Sequence, residues 1–302
     1  MKTEYEKCSL CFRGCLVDRS RSVGFCGFGD KAYISYYSLH KWEEPPISGE
    51  RGSGTIFFDG CSLGCAFCQN SKISRGRNGK AVSSDELSDL MLKLQATGAH
   101  NINFVTPTHF LPTVREAIIL SKKKGLSVPI VYNTGSYDNP EALKTLSGLV
   151  DIYLPDFKFY TEKTAEKYAK APDYPNVARL SIDEMVRQAP SLEFDEGGLM
   201  KKGVIVRILL LPSHVAEAKL ILKYLYSTYG DNIYISLMSQ YTPMENMNPP
   251  LNRKVTSEEY SQLVDYAERL GVTNAFIQEG EAASESFIPP FVSGADVDKI
   301  IL

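Results

Sequence analysis

Short apolar runs alternate with helical patterns over most of this chain of 302 residues, and no other feature limits its fold as much. The runs are rich in Val, Ile and Phe, which is typical of strands buried on both faces of a parallel sheet. We predict seven such strands, over residues 55–58, 101–105, 128–132, 150–154, 204–210, 233–237 and 274–277.

Helices are predicted between these strands. Ser83 with Glu86 and Thr256 with Glu259 form capping boxes, and Asn139 is a helix cap followed by a proline. Strands and helices that alternate in this way form parallel βα units with right-handed crossovers. The fold class is therefore α/β, and the pattern leaves both an incomplete (β/α) barrel and a doubly wound sheet open. In a barrel, the chemistry lies at the carboxyl ends of the strands.

The composition is that of an ordinary globular protein, with 43% hydrophobic and 23% charged residues. A net charge of −3 gives no general attraction to nucleic acid or to an acidic membrane. The first residues lack the apolar run of a signal peptide, and no stretch is apolar enough to span a bilayer. We therefore expect a cytoplasmic protein with no membrane or nucleic-acid partner. Seven cysteines, an odd number, favour reduced thiols that bind metal over disulfides.

Three cysteines follow the first predicted strand within eight residues. Cys61, Cys65 and Cys68 are spaced by three residues and then by two, and no histidine is near them in the sequence. Three thiolates in so short a loop can hold three irons of a 4Fe–4S cluster, which leaves one iron open to another ligand. The alternatives are buried free thiols and a three-thiolate zinc site completed by a histidine. The spacing favours the cluster.

The residues around this loop resemble those of a known superfamily. Gly60 ends the segment 52–60 that leads into the loop, Phe67 supplies the aromatic before the last cysteine, and Gln69 and Asn70 follow it. The segment resembles the CxxxCxxC signature of radical S-adenosylmethionine (radical SAM) enzymes. Within that superfamily it resembles relatives of pyruvate formate-lyase activating enzyme that carry a cysteine-bearing N-terminal extension. This resemblance implies a partial (β/α)6 barrel over residues 51–302, preceded by a small irregular extension and connector over residues 1–50.

The same resemblance implies a chemistry. A 4Fe–4S cluster, reduced by a protein such as flavodoxin or ferredoxin, cleaves S-adenosylmethionine to a 5′-deoxyadenosyl radical that abstracts a hydrogen atom from the substrate. By analogy, the first substrate to consider is a glycyl radical enzyme. Another peptide or a small molecule is an alternative. A non-catalytic iron–sulfur electron carrier or metal-dependent binding module is an alternative of another class, although neither needs an open iron.

Polar residues after the other predicted strands are candidates for contacts with S-adenosylmethionine. Relatives have a glycine-rich segment after the second strand, whereas this chain has Thr106 and Thr108 there. His109 follows them, and we favour a structural histidine at a helix start over the alternative of a catalytic acid or base. The remaining candidates after the third, fourth and fifth strands are Asn133, Ser136, Asp156, Lys158 and His214. After the sixth strand, Gln240 and Tyr241 are candidates for substrate or adenine contacts. No single residue stands out as catalytic.

Four more cysteines lie in the N-terminal extension. Cys8, Cys11, Cys15 and Cys26 are spaced by two, three and ten residues, which does not match the two Cys-x-x-Cys pairs of a zinc ribbon. Four thiolates can close a tetrahedral zinc site or fully ligate an auxiliary iron–sulfur cluster. We predict a metal site and leave both metals open. The connector over residues 42–46, by contrast, suggests no chemistry.

Overall fold

The computed structural model describes residues 2–277 of the chain. The strands are β1 (Ala32–His40), β2 (Ser53–Phe58), β3 (Lys80–Val82), β4 (Ile102–Val105), β5 (Ile130–Thr134), β6 (Ile152–Pro155), β7 (Glu193–Phe194), β8 (Met200–Leu209), β9 (Tyr234–Met238) and β10 (Ala275–Ile277). The helices are α1 (Lys2–Glu6), α2 (Pro45–Ser48), α3 (Ser71–Ser74), α4 (Ser84–Ala96), α5 (Leu111–Lys123), α6 (Pro140–Lys144), α7 (Glu162–Ala169), α8 (Tyr174–Gln188), α9 (Val215–Tyr229) and α10 (Ser257–Leu270).

A long, mostly parallel sheet forms the centre of the molecule. Its order is β10-β9-β8-β6-β5-β4-β2-β1-β3, with β7 attached to β8. Within residues 2–277, seven strands run parallel, from β2 to β10, and they correspond to the seven predicted strands. The crossover helices and the parallel order confirm the predicted α/β fold of a partial barrel. The third strand begins two residues later than predicted, after Pro129, which has no N–H to donate to a sheet ladder.

The first strand of the sheet was not predicted. β1 pairs antiparallel with β2 along six residue pairs, from Ile34 to His40 of β1, and β3 pairs antiparallel with β1. Residues 32–40 therefore extend the barrel sheet, although we expected them in the irregular connector. The boundary predicted at residue 50 is an expectation about domain organisation, and its C-terminal domain, 51–302, extends beyond the described residues.

Alternate side chains of the parallel strands enter two different cores. On β5, Ile130 and Tyr132 pack under the outer helices, whereas Val131 points into the barrel. The inner core also contains Ile152 and Leu154 of β6, and Ile47 of α2 packs among them. The segment that includes α2 therefore packs inside the barrel, against the inner faces of its strands. This position brings the residues just before it close to the strand ends.

No helix in the described part of the chain has the length and apolar character that a membrane span requires.

Candidate functional site

The three-cysteine loop leaves the end of β2 through a glycine that no other residue can replace without a clash. At Gly60, φ is +86°, and an added Cβ would lie 2.7 Å from the ring of Phe28 and 2.8 Å from the carbonyl oxygen of Cys26. Both conditions exclude a side chain. The loop is therefore seated directly against the N-terminal segment.

Phe67 anchors the three-cysteine loop through contacts with three other aromatic rings. Its ring makes edge-to-face contacts with Phe159, Tyr168 and Tyr241, at centroid distances of 6.0, 6.2 and 6.2 Å. Aromatic pairs of this geometry add stability beyond the area that they bury. The aromatic position of the motif thus anchors the loop to α7 and to the segment after β9.

All three thiols of the loop line one cleft with a volume of about 220 Å³ at the carboxyl ends of the parallel strands. Ser62, Gln69, Asn70 and Ser74 of the loop and of the segment after it also line the cleft. The other polar lining residues come from the ends of successive strands or from just after them, and they are Thr106, Thr108, Asn133, Thr134, Asp156, Lys158, Arg207 and Gln240. The cleft therefore lies where a βα barrel places its chemistry.

Five of the seven predicted cofactor-contacting residues line this cleft. Thr106, at φ +58°, has a strained backbone at the end of β4, and Thr108 donates a hydrogen bond of 2.7 Å to the buried Asp138. Asn133, Asp156 and Lys158 face the cleft from β5 and from the end of β6.

The two other predicted residues lie outside the cleft lining. Ser136 is fully buried at φ +61°, and its hydroxyl has no hydrogen-bond partner in the described part of the chain. His214 hydrogen-bonds the carbonyl oxygen of Pro212 at 2.7 Å through Nδ1, and its Nε2 lies 3.4 Å from the hydroxyl of Tyr168. It therefore supports the aromatic group around Phe67.

The remaining sequence candidates divide in the same way. Gln240 lines the cleft, and its carbonyl oxygen accepts a 2.9 Å hydrogen bond from Gln69. Tyr241 is buried, and its hydroxyl donates to Leu251 at 2.6 Å. His109 is also buried at the start of α5, where its Nε2 meets the carbonyl oxygen of Asp59 at 2.7 Å, so its position agrees with a structural role.

A chain of buried charges forms the floor of the cleft. Asp156 binds Lys158 at 2.5 Å and Arg207 at 2.7 Å. Arg207 also donates to Asn133 at 2.6 Å and lies 3.2 Å from Glu43. Burial disfavours charge on Asp156, but Arg207 and Lys158 outweigh it and hold the pKa of this carboxyl below its ordinary value. Burial also opposes charge on Lys158, and Asp156 outweighs it, so the pKa of Lys158 is raised.

The sequence did not reveal Arg207 or Glu43. Arg207 interrupts the apolar run 204–210, and a lone arginine in such a run is a signal that we did not use. Glu43 lies in the connector, to which we assigned no chemistry. It enters the barrel because α2 packs inside it, and nothing local in the sequence indicates that packing.

The thiols of the loop are buried with few compensating charges. Burial raises the pKa of Cys65 to about 12, and Lys158 is the strongest opposing influence. Sulfur also accepts hydrogen bonds, from the Leu63 N–H to Cys61 at 3.3 Å and from the Ser74 hydroxyl to Cys68 at 3.5 Å. Buried thiols of this kind ionise when a metal supplies positive charge.

The residues present fit an iron–sulfur cluster better than a single metal ion. Within residues 2–277, no three Cys, His, Asp or Glu side chains converge as ligands of one ion. A 4Fe–4S cluster instead takes one thiolate per iron and therefore needs its sulfurs spread apart around a shared space. Three thiols that line the same cleft, with two of them accepting hydrogen bonds, meet that requirement.

The four N-terminal cysteines also lie near one another. Burial raises the pKa of Cys11 to about 12, and Cys26, Cys8 and Cys15 are close enough to raise it further. A Cβ added to Gly24 would lie 3.5 Å from the Cys26 sulfur and 3.6 Å from that of Cys15. The segment 8–26 thus folds its four cysteines together, outside the lining of the cleft.

Comparisons with known proteins agree with this geometry. The profile of the radical SAM superfamily matches residues 55–192. The chain is 30% identical over 280 residues to the uncharacterized protein MJ0674 of Methanocaldococcus jannaschii, and the match covers 89% of this chain and 76% of that protein.

Two solved structures have a similar fold. SuiB of Streptococcus suis bound to S-adenosylmethionine has a TM-score of 0.51 at 12% identity and 75% coverage of this chain. The protein anSMEcpe with bound AdoMet has a TM-score of 0.50 at 14% identity and 72% coverage of this chain. The chain spans 52% of the SuiB structure and 58% of the anSMEcpe structure, and at these identities the likeness concerns the fold alone.

Proposed function

The chain belongs to the radical SAM superfamily, and from that premise we propose that it is an enzyme that cleaves S-adenosylmethionine reductively and abstracts a hydrogen atom from a substrate. The observation that carries this proposal is the convergence of Cys61, Cys65 and Cys68 on one cleft at the carboxyl ends of the parallel strands. A 4Fe–4S cluster bound there supplies one electron for cleavage to methionine and a 5′-deoxyadenosyl radical.

The chain's own residues bind and orient the reactants. Cys61, Cys65 and Cys68 hold the cluster, and the missing fourth thiolate leaves a position for the amino and carboxylate groups of S-adenosylmethionine. Lys158 places a positive charge beside that position, held by Asp156 at 2.5 Å. Asn133 offers an amide at the end of β5 for a hydroxyl or carboxylate of the cofactor.

A direct assay tests this proposal. The protein is reconstituted anaerobically with iron and sulfide, reduced, and mixed with S-adenosylmethionine, and 5′-deoxyadenosine is measured by chromatography. We expect its formation with the unaltered chain and its loss in Cys65→Ala. Absence of 5′-deoxyadenosine from the unaltered chain, or equal amounts from both proteins, would falsify the proposal.

The finer proposal is that the hydrogen comes from a glycine of a partner protein, as in activation of a glycyl radical enzyme. Its support is the sequence around the loop, which resembles that of activating-enzyme relatives. The test supplies protein substrates made with glycine deuterated at Cα. Deuterium in the 5′-deoxyadenosine supports glycine as the donor, whereas 5′-deoxyadenosine without deuterium rejects it and favours another peptide or a small molecule.

We further propose that Cys8, Cys11, Cys15 and Cys26 hold a second iron–sulfur cluster that carries electrons towards the loop. Two contacts support this role, because Arg13 donates to the Ser62 carbonyl at 2.8 Å and the Cys26 carbonyl packs against Gly60. An iron count of about eight atoms per chain is expected, falling to about four in a Cys11→Ala variant. About four irons with one zinc in the unaltered protein would instead assign zinc to these cysteines.

The reductant is proposed to be a protein such as flavodoxin or ferredoxin. The N-terminal segment supports this, because it exposes Leu16, Val23 and Phe25 at 55%, 49% and 52% beside its cysteines. Replacing Phe25 by Ser is expected to slow reduction by the protein donor while leaving reduction by dithionite unchanged. A cytoplasmic location is part of the same proposal, and its support is that all seven cysteines are free thiols.

A further inference from the structure

A second cavity adjoins the cofactor cleft inside the barrel. Its volume is about 370 Å³, and it lies between β10 and the segment that follows β1. Arg207, Met238 and Gln240 line both the cavity and the cleft, so the two spaces meet at these side chains. A molecule bound in this cavity would therefore lie next to the place where the radical forms.

The walls of the cavity carry more acidic than basic groups. Glu43 and Glu44 both line it, and Arg207 is the one basic side chain among the described residues of its lining. Arg207 is already bound to Asp156 and to Glu43, at 2.7 and 3.2 Å. Lys158 also pairs with Asp156. This charged group therefore contains three carboxylates and two cations, and Glu44 is the carboxylate left without an ion pair among the described residues.

Glu44 is a buried carboxylate with one oxygen left without a hydrogen bond among the described residues. Glu44 is only 7% exposed, and its Oε2 has no hydrogen-bond partner in the described part of the chain. Burial of a carboxylate oxygen without a donor is costly, so a ligand that brings a donor gains the full value of the contact. Burial raises the pKa of Glu44, with Glu43 adding to the shift, and Arg207 opposes it only in part.

We propose that this cavity binds a cationic group of the substrate, an ammonium or a guanidinium, through Glu44, with Glu43 and the exposed face of Trp42 beside it. Trp42 is 59% exposed, and Phe276 presents a second aromatic ring in the same lining. Aromatic faces attract cations, and Trp does so most strongly. This inference rests on the proposed function, because it names the class of substrate from which the hydrogen atom would be abstracted.

The reaction balances without a further reactant. One hydrogen atom moves from a C–H bond of the substrate to the 5′ carbon of the deoxyadenosyl radical, and the substrate keeps an unpaired electron on that carbon. The cation takes no part in the electron count. It fixes which carbon lies next to the cleft, and the source of the cation is either a basic side chain of a peptide or a free small amine.

The experiment uses the chain's single tryptophan as a reporter of the cavity. Anaerobically purified full-length protein is titrated with pentylamine and with a short lysine-containing peptide, and Trp42 emission is followed. The matched neutral probes are pentanol and the same peptide with acetyl-lysine. We expect the charged probes to change the emission at concentrations at least tenfold lower than their neutral counterparts, because a charge-assisted hydrogen bond is lost in the latter.

A pair of variants assigns the effect to one carboxylate. Glu44→Gln keeps the shape and is expected to weaken binding of the charged probes at least tenfold. Glu50→Gln, an exposed residue a few positions along the same segment, is the matched control and is expected to bind like the unaltered chain. The comparison of amine with alcohol on the unaltered protein needs no variant, so it stands even if Glu44→Gln is unstable.

The outcomes separate this inference from the proposed function. Equal responses to charged and neutral probes, no response to either, or unchanged binding in Glu44→Gln would overturn the cation site. Formation of 5′-deoxyadenosine is measured on the same preparation. If the protein cleaves S-adenosylmethionine but does not bind the amines, only the cation site is rejected and the proposed function stands. Response to the peptide alone, or to pentylamine alone, supports the site and identifies the source of the cation.

Discussion

The two cysteine groups of this protein are close in space and differ in what faces their sulfurs. Cys61, Cys65 and Cys68 line a cleft that polar and charged side chains from the strand ends surround. The four cysteines of the segment 8–26 lie outside that lining, and the guanidinium of the buried Arg19 lies 3.8 Å from the Cys8 sulfur and donates to the Phe28 carbonyl at 3.1 Å. The first group lines a space for ligands at the strand ends, whereas the second lies in the N-terminal segment outside that space.

The two groups of cysteines therefore differ more in the residues around them than in the number of their thiols, and these surroundings distinguish an open metal site from a closed one. An open site needs an adjoining cavity and fixed charges to orient a substrate, which β5, β6 and β8 provide. A closed site needs its ligands and a rigid shell. The backbone contact between Cys26 and Gly60 joins the two regions, so each of the following changes tests how separate they are.

Removal of one thiol from each region is expected to produce the largest contrast. Cys65→Ala should reduce 5′-deoxyadenosine formation at least about a thousandfold, because the cluster loses one of its three protein ligands. Cys15→Ala, with dithionite as reductant, should keep most of the activity. Both variants are assayed anaerobically with iron determination on the same samples. Equal loss in the two variants would show that the regions act as one centre.

Arg19 tests how far the N-terminal segment stabilises the whole chain. Arg19→Met leaves the carbonyls of Phe28, Gly29 and His109 without their buried donor. We expect the free energy of unfolding in urea to fall by about 3–5 kcal/mol. Arg21→Met, at an 87% exposed side chain of the same segment, is the control and should change little. A small effect of Arg19→Met would mean that the segment folds as a separate unit.

His109 makes the junction of the two regions sensitive to acid. Burial lowers its pKa from 6.5 to about 3, while its backbone carbonyl binds Arg19 and its ring binds the Asp59 carbonyl. Between these pKa values the unfolded chain takes up a proton that the folded chain does not, so stability falls as the pH drops through this window.

The expected loss attributable to His109 is roughly 1.5 kcal/mol between pH 6.5 and pH 5. Urea denaturation at several pH values measures it. His109→Gln, which retains an N–H donor without a titrating group, should show a correspondingly flatter dependence. The subtraction also removes the contribution of His40, whose pKa burial lowers to about 4. An unchanged slope in the variant would assign the acid sensitivity elsewhere.

Arg13 is expected to have the smallest effect of the four. It donates to the carbonyls of Ser62 and Leu63 in the loop, at 2.8 and 3.2 Å, and to those of Ala169 and Lys170. Arg13→Ala should lower the free energy of unfolding by about 1 kcal/mol and accelerate amide hydrogen exchange in residues 61–68. Arg13→Lys keeps the charge but lacks the planar fork, so it should recover only part of the loss. Unchanged exchange would show that the loop is held without this link.

The parts of the fold that depend on local pattern were predictable. The apolar runs placed all seven parallel strands, and the capping boxes at Ser83 and Thr256 begin α4 and α10 as predicted. β1 was missed because its residues alternate less clearly and lie among glycines and cysteines. Its place in the sheet is decided by pairing with β2, a contact with the following segment that the pattern of β1 alone does not contain.

The candidate site shows the same division. Thr106, Asn133, Asp156 and Lys158 were predicted because strand ends meet at one edge of a parallel sheet, and they do line the cleft. Ser136 and His214 also follow strands, but their side chains lie outside the cleft lining, and His214 packs beside Tyr168. Position along the chain locates the edge of the sheet, while side-chain direction depends on the turn that follows each strand.

By itself, the sequence determined the alternation of strands and helices, the spacing of the thiols and the end of the sheet at which they lie. These properties depend on residues close together in the chain. Only the tertiary structure decided that Glu43 meets Arg207 at 3.2 Å and that Glu44 is buried without a donor for its Oε2 among the described residues. The physical reason is that α2 packs inside the barrel, and this packing depends on apolar side chains from strands far apart in the sequence.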